Sequence, residues 1–476
     1  MTATDDHARP GAEAGTERDD TSADTPGSGA TAPDAPGRDD TGAPAGDTSA
    51  PAANPSAASP AAPPAKPKLA DAVVALKIPE FRRFWFAAIA SNSGSWLQGL
   101  AMPFIMYEMT RSGAWVGASV FSIMLPMALV GPFAGPLADR IPRRTILIVC
   151  QSVLSVVAFA FAALWWSGVR NPWAYLATSV LYGIVNGFSM PAWQAFVSDL
   201  VPRELLMNAI TLNSAQFNAA RAIGPSIGGV VIAAFGAGWA FAGNAVSFLV
   251  VVVALVSLPR PQRRVDQVSE SPLRAFVQGG RYARTQPGIL TGYLAATLLA
   301  IFGGTLVQVH LVLFAEEVFD VSAFKFGLLV SAYGIGAILA APWLASVGPR
   351  LKRSAVLVGG LVAFGLAELA LVATTIYWVG LAGVVAAGAA HITLASTTNT
   401  TIQLQVTEAM RGRVLSMYLM VLTIGMPVGA MVQGPMADRF GPRVVVGAMG
   451  SMMLVSALLL FLTGRAETYD HELAEP

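Results

Sequence analysis

The 476-residue chain has a single cysteine, Cys150, which excludes an intrachain disulfide framework and any CxxC metal site. Charge is scarce: Asp, Glu, Lys and Arg make up 12% of the residues, about half the share of an ordinary soluble domain. P-loop and HExxH signatures are absent. His310 and His391 have no Cys, Ser or carboxylate at a motif spacing. Nothing therefore points to an enzyme, a cofactor, a bound metal or a nucleic-acid partner. The first residues lack a positively charged start followed by an apolar core, so no secretory signal peptide is expected and the first apolar span would target the chain.

The hydrophobic share is 54% and the mean hydropathy is +0.56, but neither is spread evenly. Residues 1–65 hold 11 acidic residues and three arginines, formally −8, in a run of Ala, Pro, Gly, Asp, Ser and Thr. Such a composition buries too little apolar area to offset chain entropy, so a disordered acidic tail is expected there. The remainder is a membrane protein, because a spanning helix needs about 20 mostly apolar residues. Twelve windows meet that need, near 84–108, 114–137, 145–166, 173–197, 209–234, 238–258, 289–315, 326–347, 354–375, 377–402, 414–436 and 444–463.

Lys and Arg in the flanking segments orient these spans. With the N terminus inside, 21 fall in cytoplasmic segments and five in external ones, so both termini are expected in the cytoplasm of a multi-pass cell-membrane protein. The expected organisation is a tail over 1–65, a six-helix bundle over 66–258, a cytoplasmic linker loop over 259–287, a second six-helix bundle over 288–464 and a short tail over 465–476. A repeat supports the division. At a constant offset of 210 residues Gly94 matches Gly304, Gln98 matches Gln308, Gly117 matches Gly327, Pro132 matches Pro342, Arg140 matches Arg350 and Arg143 matches Arg353. Pro225 and Pro427 take similar places in spans five and eleven. Two parallel halves related by a pseudo-two-fold axis along the membrane normal are one way alternating-access transporters are built.

Span two ends in Gly135-Pro136-Leu137-Ala138-Asp139-Arg140-Ile141-Pro142-Arg143-Arg144. This resembles the GxLaDRxGRR loop of the major facilitator superfamily, with Pro142 at a usual glycine. Gly135 would let helices approach, Asp139 would face the positive N-terminal end of a helix such as span eleven, and Arg140, Arg143 and Arg144 would anchor to phosphate or pair locally. Together these residues form a candidate conformational latch. The second half has Pro349 where Asp139 would be. Span five carries Gly224-Pro225-Ser226-Ile227-Gly228-Gly229, similar to the GxxxGPxxGG signature of drug:proton antiporters in that superfamily, with Ala220 at the leading glycine. Gly224, Pro225, Gly228 and Gly229 would give a pliable, leak-tight helix contact, or only ordinary small-residue packing. The stretch from Pro191 to Arg221 resembles the enterobactin-exporter and macrolide-efflux family. Gly183 stands four before Gly187, where many such antiporters have an arginine, so that arginine's role does not carry over.

Ionisable residues within spans cost at least about 2.5 kcal/mol each at the bilayer centre, which makes them functional candidates. Arg221 in span five would serve either a structural bond within the first half or a substrate or coupling role. His310 and His391 are either neutral packed rings or proton carriers, and Glu368 in span nine is either a packed carboxyl or a coupling site. No carboxylate lies in the middle of the first six spans; Glu108 and Asp199 sit at span ends. Uncharged cavity candidates are Asn92, Ser95, Trp96 and Gln98 in span one, Asn186 and Trp193 in span four, Gln216 and Asn218 in span five, and Gln308 in span seven. Apolar and aromatic walls with scattered amides suit a bulky amphiphile, although amides also bond helices together. Met417, Met420, Met426, Met431 and Met436 offer adaptable surface or packing.

The resemblance implies an exporter of hydrophobic or amphiphilic small molecules, drugs or secondary metabolites, working by proton antiport as a monomer in the bilayer. The alternatives are an importer, uniporter or lipid transporter of the same fold, or a non-transporting sensor or scaffold.

Overall fold

A computed structural model describes residues 69–259 and 272–470, apart from the side chains of 69–72, 132, 133, 135–140 and 272–276. The expected tail over 1–65, the Gly135, Asp139 and Arg140 portion of the latch, the first part of the linker and residues 471–476 lie outside this description. Every element among the described residues is a helix. The first half comprises α1 (Pro79–Thr110), α2 (Gly113–Arg140), α3 (Arg143–Trp166), α4 (Pro172–Asp199), α5 (Leu206–Phe235) and α6 (Ala237–Ser257). A short helix α7 (Pro272–Thr285) leads to the second half: α8 (Pro287–Val318), α9 (Ala323–Val347), α10 (Arg353–Ala373), α11 (Tyr377–Leu404), α12 (Glu408–Phe440) and α13 (Pro442–Leu462).

Proline at the first helical turn opens α1, α4, α8 and α13, where its missing N–H costs nothing. Gly236 and Gly441, at φ 89° and 83°, each join two consecutive helices directly through a backbone conformation that a side chain would strain. Among the described residues, ten of the twelve long helices are apolar enough by composition to cross a bilayer. The two that fall short, α1 and α4, carry the polar run Ser91 to Gln98 and the set Asn186, Ser189 and Gln194. Each is bound on both sides by neighbours that supply the missing apolar contact.

The expected linker loop over 259–287 needs correcting, because its second half is α7. Amphipathic spacing lets this segment lie on α12, where Gly279 meets the Arg413 backbone and Ala283 joins Tyr293, Val414 and Tyr418 in one apolar cluster. The short tail from 465 also needs correcting. Arg465–Tyr469 form a turn of 3-10 helix whose Tyr469 is fully buried, and Asp470 accepts hydrogen bonds from Ser354 N (3.0 Å) and Ser354 Oγ (2.5 Å) at the start of α10.

Within the first half α2 packs on α4 and α3 on α6; in the second half the corresponding pairs are α9 on α11 and α10 on α13. The halves meet along two seams, α2 with α12 and α5 with α9, which exchange when the halves are exchanged. The repeat glycines mark this symmetry. A methyl group on Gly117 would collide with the Ala430 carbonyl across one seam, and one on Gly327 with the Pro225 carbonyl across the other.

The starts of α3, α5 and α10 carry Arg143, Arg144, Arg203 and Arg353 and define a basic face. The seams close at the opposite face. There Tyr107 Oη donates to Glu317 (2.9 Å), Arg111 pairs with Glu316 (3.1 Å), and Ser112 Oγ and Ala114 N donate to Asp438 at 2.6 and 3.0 Å. Toward the basic face the halves part. Between Phe326 and Ala337 α9 is almost wholly buried, whereas from Ile338 to Ser346 it is exposed nearly all round.

Candidate functional site

A cavity of about 560 Å³ opens from the first half toward this parting, walled by α1, α3, α4, α5 and α6. Its polar lining is neutral. Asn92 Nδ2 donates to Gln216 Oε1 (3.1 Å), Gln216 Nε2 to Asn213 Oδ1 (3.2 Å), and Asn218 Nδ2 to the Ser214 carbonyl (2.9 Å). Ser95 and Asn186 also line it, with Trp193, Phe217 and Phe248 as aromatic walls. Trp193 is held by Phe84, ring centroids 4.8 Å apart. The cavity thus gathers Asn92, Ser95, Asn186, Trp193, Gln216 and Asn218.

Gln98 lies elsewhere. It is buried and its Oε1 accepts from Asn244 Nδ2 (2.8 Å), a bond between α1 and α6 rather than a cavity wall. Trp96 packs in the space that Gly224 leaves on α5. Gln308 is half-buried on a π-helical turn of α8, Leu306–His310.

The Gly224 to Gly229 stretch serves two helices at once. Gly224 and Gly228 admit Trp96 and Leu100 of α1, and Gly229 admits the Ala323 and Phe324 backbone of α9. Pro225 leaves the Arg221 carbonyl without its usual donor four residues on. The next residue, Ser226, uses its N–H and its hydroxyl on Ser331 Oγ of α9, at 2.9 and 2.7 Å.

The described latch arginines act locally. Arg143 pairs with Asp199 at 2.9 Å, and Arg144 donates to the Leu255 (2.7 Å) and Val256 (3.0 Å) carbonyls, closing the C-terminal end of α6.

The intramembrane candidates separate. His310 is fully buried; Gln433 Nε2 donates to the Ile301 carbonyl (2.8 Å), which turns Gln433 Oε1 toward His310 Nε2 (3.0 Å). An amide oxygen only accepts, so the proton is on Nε2. Glu368 is fully buried beside Gly450 of α13, and among the described residues no group hydrogen bonds to either carboxyl oxygen. His391 stands edge-on to Tyr333, ring centroids 5.5 Å apart, and 6.4 Å from the Phe364 ring. The Arg221 Cζ lies 5.9 Å from the centre of the Tyr333 ring, across the α5–α9 seam.

One functional segment escaped the sequence reading. Gly434-Pro435-Met436-Ala437-Asp438-Arg439-Phe440-Gly441-Pro442-Arg443 shares six of ten positions with Gly135 to Arg144, and its Asp438 is the acceptor that closes the far face. The signal was the GPxADR hexamer itself, displaced from the 210-residue register.

Residues 70–474 match the family described as "Transmembrane secretion effector". The chain belongs to this family of the major facilitator superfamily. It is 27% identical to the enterobactin exporter EntS of Shigella flexneri over 81% of this chain and 91% of that protein. It is also 27% identical to the uncharacterized MFS-type transporter YfiS of Bacillus subtilis, over 44% of this chain and only 50% of that one. Among solved structures it resembles the nucleoside transporter NupG D323A mutant (TM-score 0.68, 15% identity, 80% of this chain and 99% of that one). It also resembles a bacterial homolog of the lysosomal transporter Spinster in an inward-facing, unoccupied conformation (TM-score 0.64, 18% identity, 82% and 96%). These likenesses establish a twelve-helix transporter fold. The chain is a multi-pass membrane transporter of small molecules, not an enzyme.

Proposed function

We propose that this facilitator exports amphiphilic small molecules by alternating access, driven by proton antiport, with the basic face in the cytoplasm. The observation that carries this reading is the single-sided opening: amide and aromatic walls face a crevice between the halves, and the opposite end is tied shut through Asp438, Glu316 and Glu317. Arginine-rich loops stay on the cytoplasmic side of short-looped membrane proteins, which orients the opening toward the cell interior. A cavity with about ten neutral donors and acceptors among aromatic rings fits a bulky amphiphile better than a small sugar. The enterobactin exporters, aligned over most of their length, favour outward movement. The latch residues Gly135, Asp139, Arg140, Arg143 and Arg144 would close the basic face in the other half of the cycle.

The test is dye accumulation in inverted membrane vesicles under an imposed proton gradient, using fluorescent amphiphiles of both charge signs. Export predicts accumulation that collapses with an uncoupler and falls in Asp139→Asn. Accumulation indifferent to the gradient identifies a uniporter, and movement in the opposite sense an importer.

A further inference from the structure

Arg221 occupies a singular place. It lies half way along α5, at the last point where that helix touches α9: Gly334 packs against the Arg221 carbonyl and the Ala222 backbone, and one turn toward the basic face Phe217 and Asn218 are exposed cavity walls. The guanidinium is therefore at the apex of the crevice, where the two halves part. It is half-buried, and among the described residues it makes no hydrogen bond and no ion pair. One face rests over the Tyr333 ring of the second half.

A ring face satisfies a guanidinium only through its π cloud and leaves the five N–H groups at its edge without acceptors. In the middle of a membrane such donors are costly unless water or a ligand meets them. The nearby groups do not compensate. Asp199 is engaged by Arg143 at the basic face, Glu368 is sealed between α10 and α13, and the cavity polar groups are uncharged amides and hydroxyls, of which Asn92, Gln216 and Asn213 already bond one another. His391, on the other side of Tyr333, adds no negative charge. The field at the apex is positive, with no counter-charge paired to Arg221 among the described residues.

We infer that Arg221, backed by Tyr333, is the anion-binding point of the cargo site, and that the cargo is an amphiphile carrying a planar or multi-oxygen acidic group such as a carboxylate or sulfonate. Such groups accept two parallel N–H bonds from one guanidinium, which fixes their orientation. The apolar body of the molecule then lies back along α5 and α4 against Phe217 and Trp193. Because the cation comes from one half and its aromatic support from the other, a bound anion sits on the pivot of the rocking motion, reachable from either face in turn. This assignment rests on the transporter reading above and gives its substrate class.

Two xanthene dyes of similar ring system and opposite charge, fluorescein and rhodamine 6G, test it by fluorescence anisotropy with the purified full chain and no gradient. The native protein is expected to bind fluorescein more tightly than rhodamine 6G. Arg221→Gln should weaken fluorescein at least tenfold and leave rhodamine 6G unweakened, with Arg221→Lys between. Asn218→Asp, an exposed position one turn away, supplies an internal counter-charge with Arg221 retained, and should also cost fluorescein tenfold. Equal fluorescein affinity in the native chain and in both charge variants, or a native preference for rhodamine 6G, overturns the assignment. Vesicle flux separates the two readings. Anion binding without movement under any gradient sinks the exporter and keeps the site; gradient-driven rhodamine 6G export without fluorescein binding does the reverse.

Discussion

Asp438, in the last turn of α12, caps the N-terminus of α2 by accepting from the Gly113 and Ala114 backbone N–H groups and from Ser112 Oγ. These are helix-end donors with no intrahelical partner, and a carboxylate there also meets the positive end of the helix dipole. Because α2 and α12 run antiparallel, their two GPxADR segments lie at opposite faces of the membrane, that of α2 at the face where the halves part. The present contact is the far-face member of that pair. Asp438→Asn keeps the shape and removes the charge, which is worth about 1–2 kcal/mol at a helix N-terminus. The far-face-closed population should fall roughly 5- to 30-fold relative to the open one. Spin labels at Ser167 and Ser322, one on each half at the far face, would report it in a Cys150→Ser background as a longer distance; an unchanged distribution would show that other contacts hold the face.

The repeat glycines predict a symmetric effect. Gly117 and Gly327 are related by the 210-residue offset, and each lies against a backbone carbonyl of the opposite half. Alanine at either must push its seam apart, since backbone cannot swing aside as a side chain can. Overpacking of this kind costs about 1–3 kcal/mol. Gly117→Ala and Gly327→Ala should therefore open the far face to similar extents in the same label experiment. Gly359→Ala, with open space at the added methyl group, should leave the distances unchanged.

Much of this architecture was legible in the sequence because lipid leaves few choices. Apolar length located the twelve spans, and the 210-residue repeat pointed to two halves. The reading failed where a segment's role depends on what it meets. Arg465 to Asp470 look like a polar tail, and only Tyr469 hints that the turn is buried. Gln98 reads as a cavity amide, yet Asn244 on α6, which no local pattern pairs with it, takes it into the interior. The second GPxADR segment falls outside the 210-residue register because Asp438 obeys a different symmetry: it answers Asp139 across the antiparallel α2–α12 pair.

The C-terminal turn gives a stability prediction. Asp470 holds the first turn of α10 through Ser354, and Tyr469 Oη reaches Thr398 Oγ1 of α11 at 3.3 Å. Asp470→Ala removes a helix cap, a loss of about 1 kcal/mol. Truncation after Gly464 also uncovers Ala466 and Tyr469 contacts and should cost several kcal/mol, on the scale of losing a buried aromatic side chain. Thermal unfolding of the purified chain in detergent checks the order: native above Asp470→Ala above the truncation. Equal midpoints would make the turn dispensable.

Glu368 provides the sharpest test of where coupling resides. It is fully buried between α10 and α13, and neither oxygen has a partner among the described residues. An ionised carboxylate there would lack a counter-charge in apolar surroundings, a penalty of several kcal/mol, and its place beside Gly450 is away from the crevice. A group that must alternately charge and discharge needs a path to each face, and Glu368, fully buried beside Gly450, has no exposed surface in this state. Glu368→Gln should therefore fold and retain gradient-driven flux. Glu368→Met, which exchanges an unsatisfied polar end for an apolar one, should be neutral or raise the unfolding midpoint. If Glu368→Gln instead binds dye normally but loses accumulation under a proton gradient, the carboxyl is the proton carrier after all, and the α10–α13 contact must open during the cycle.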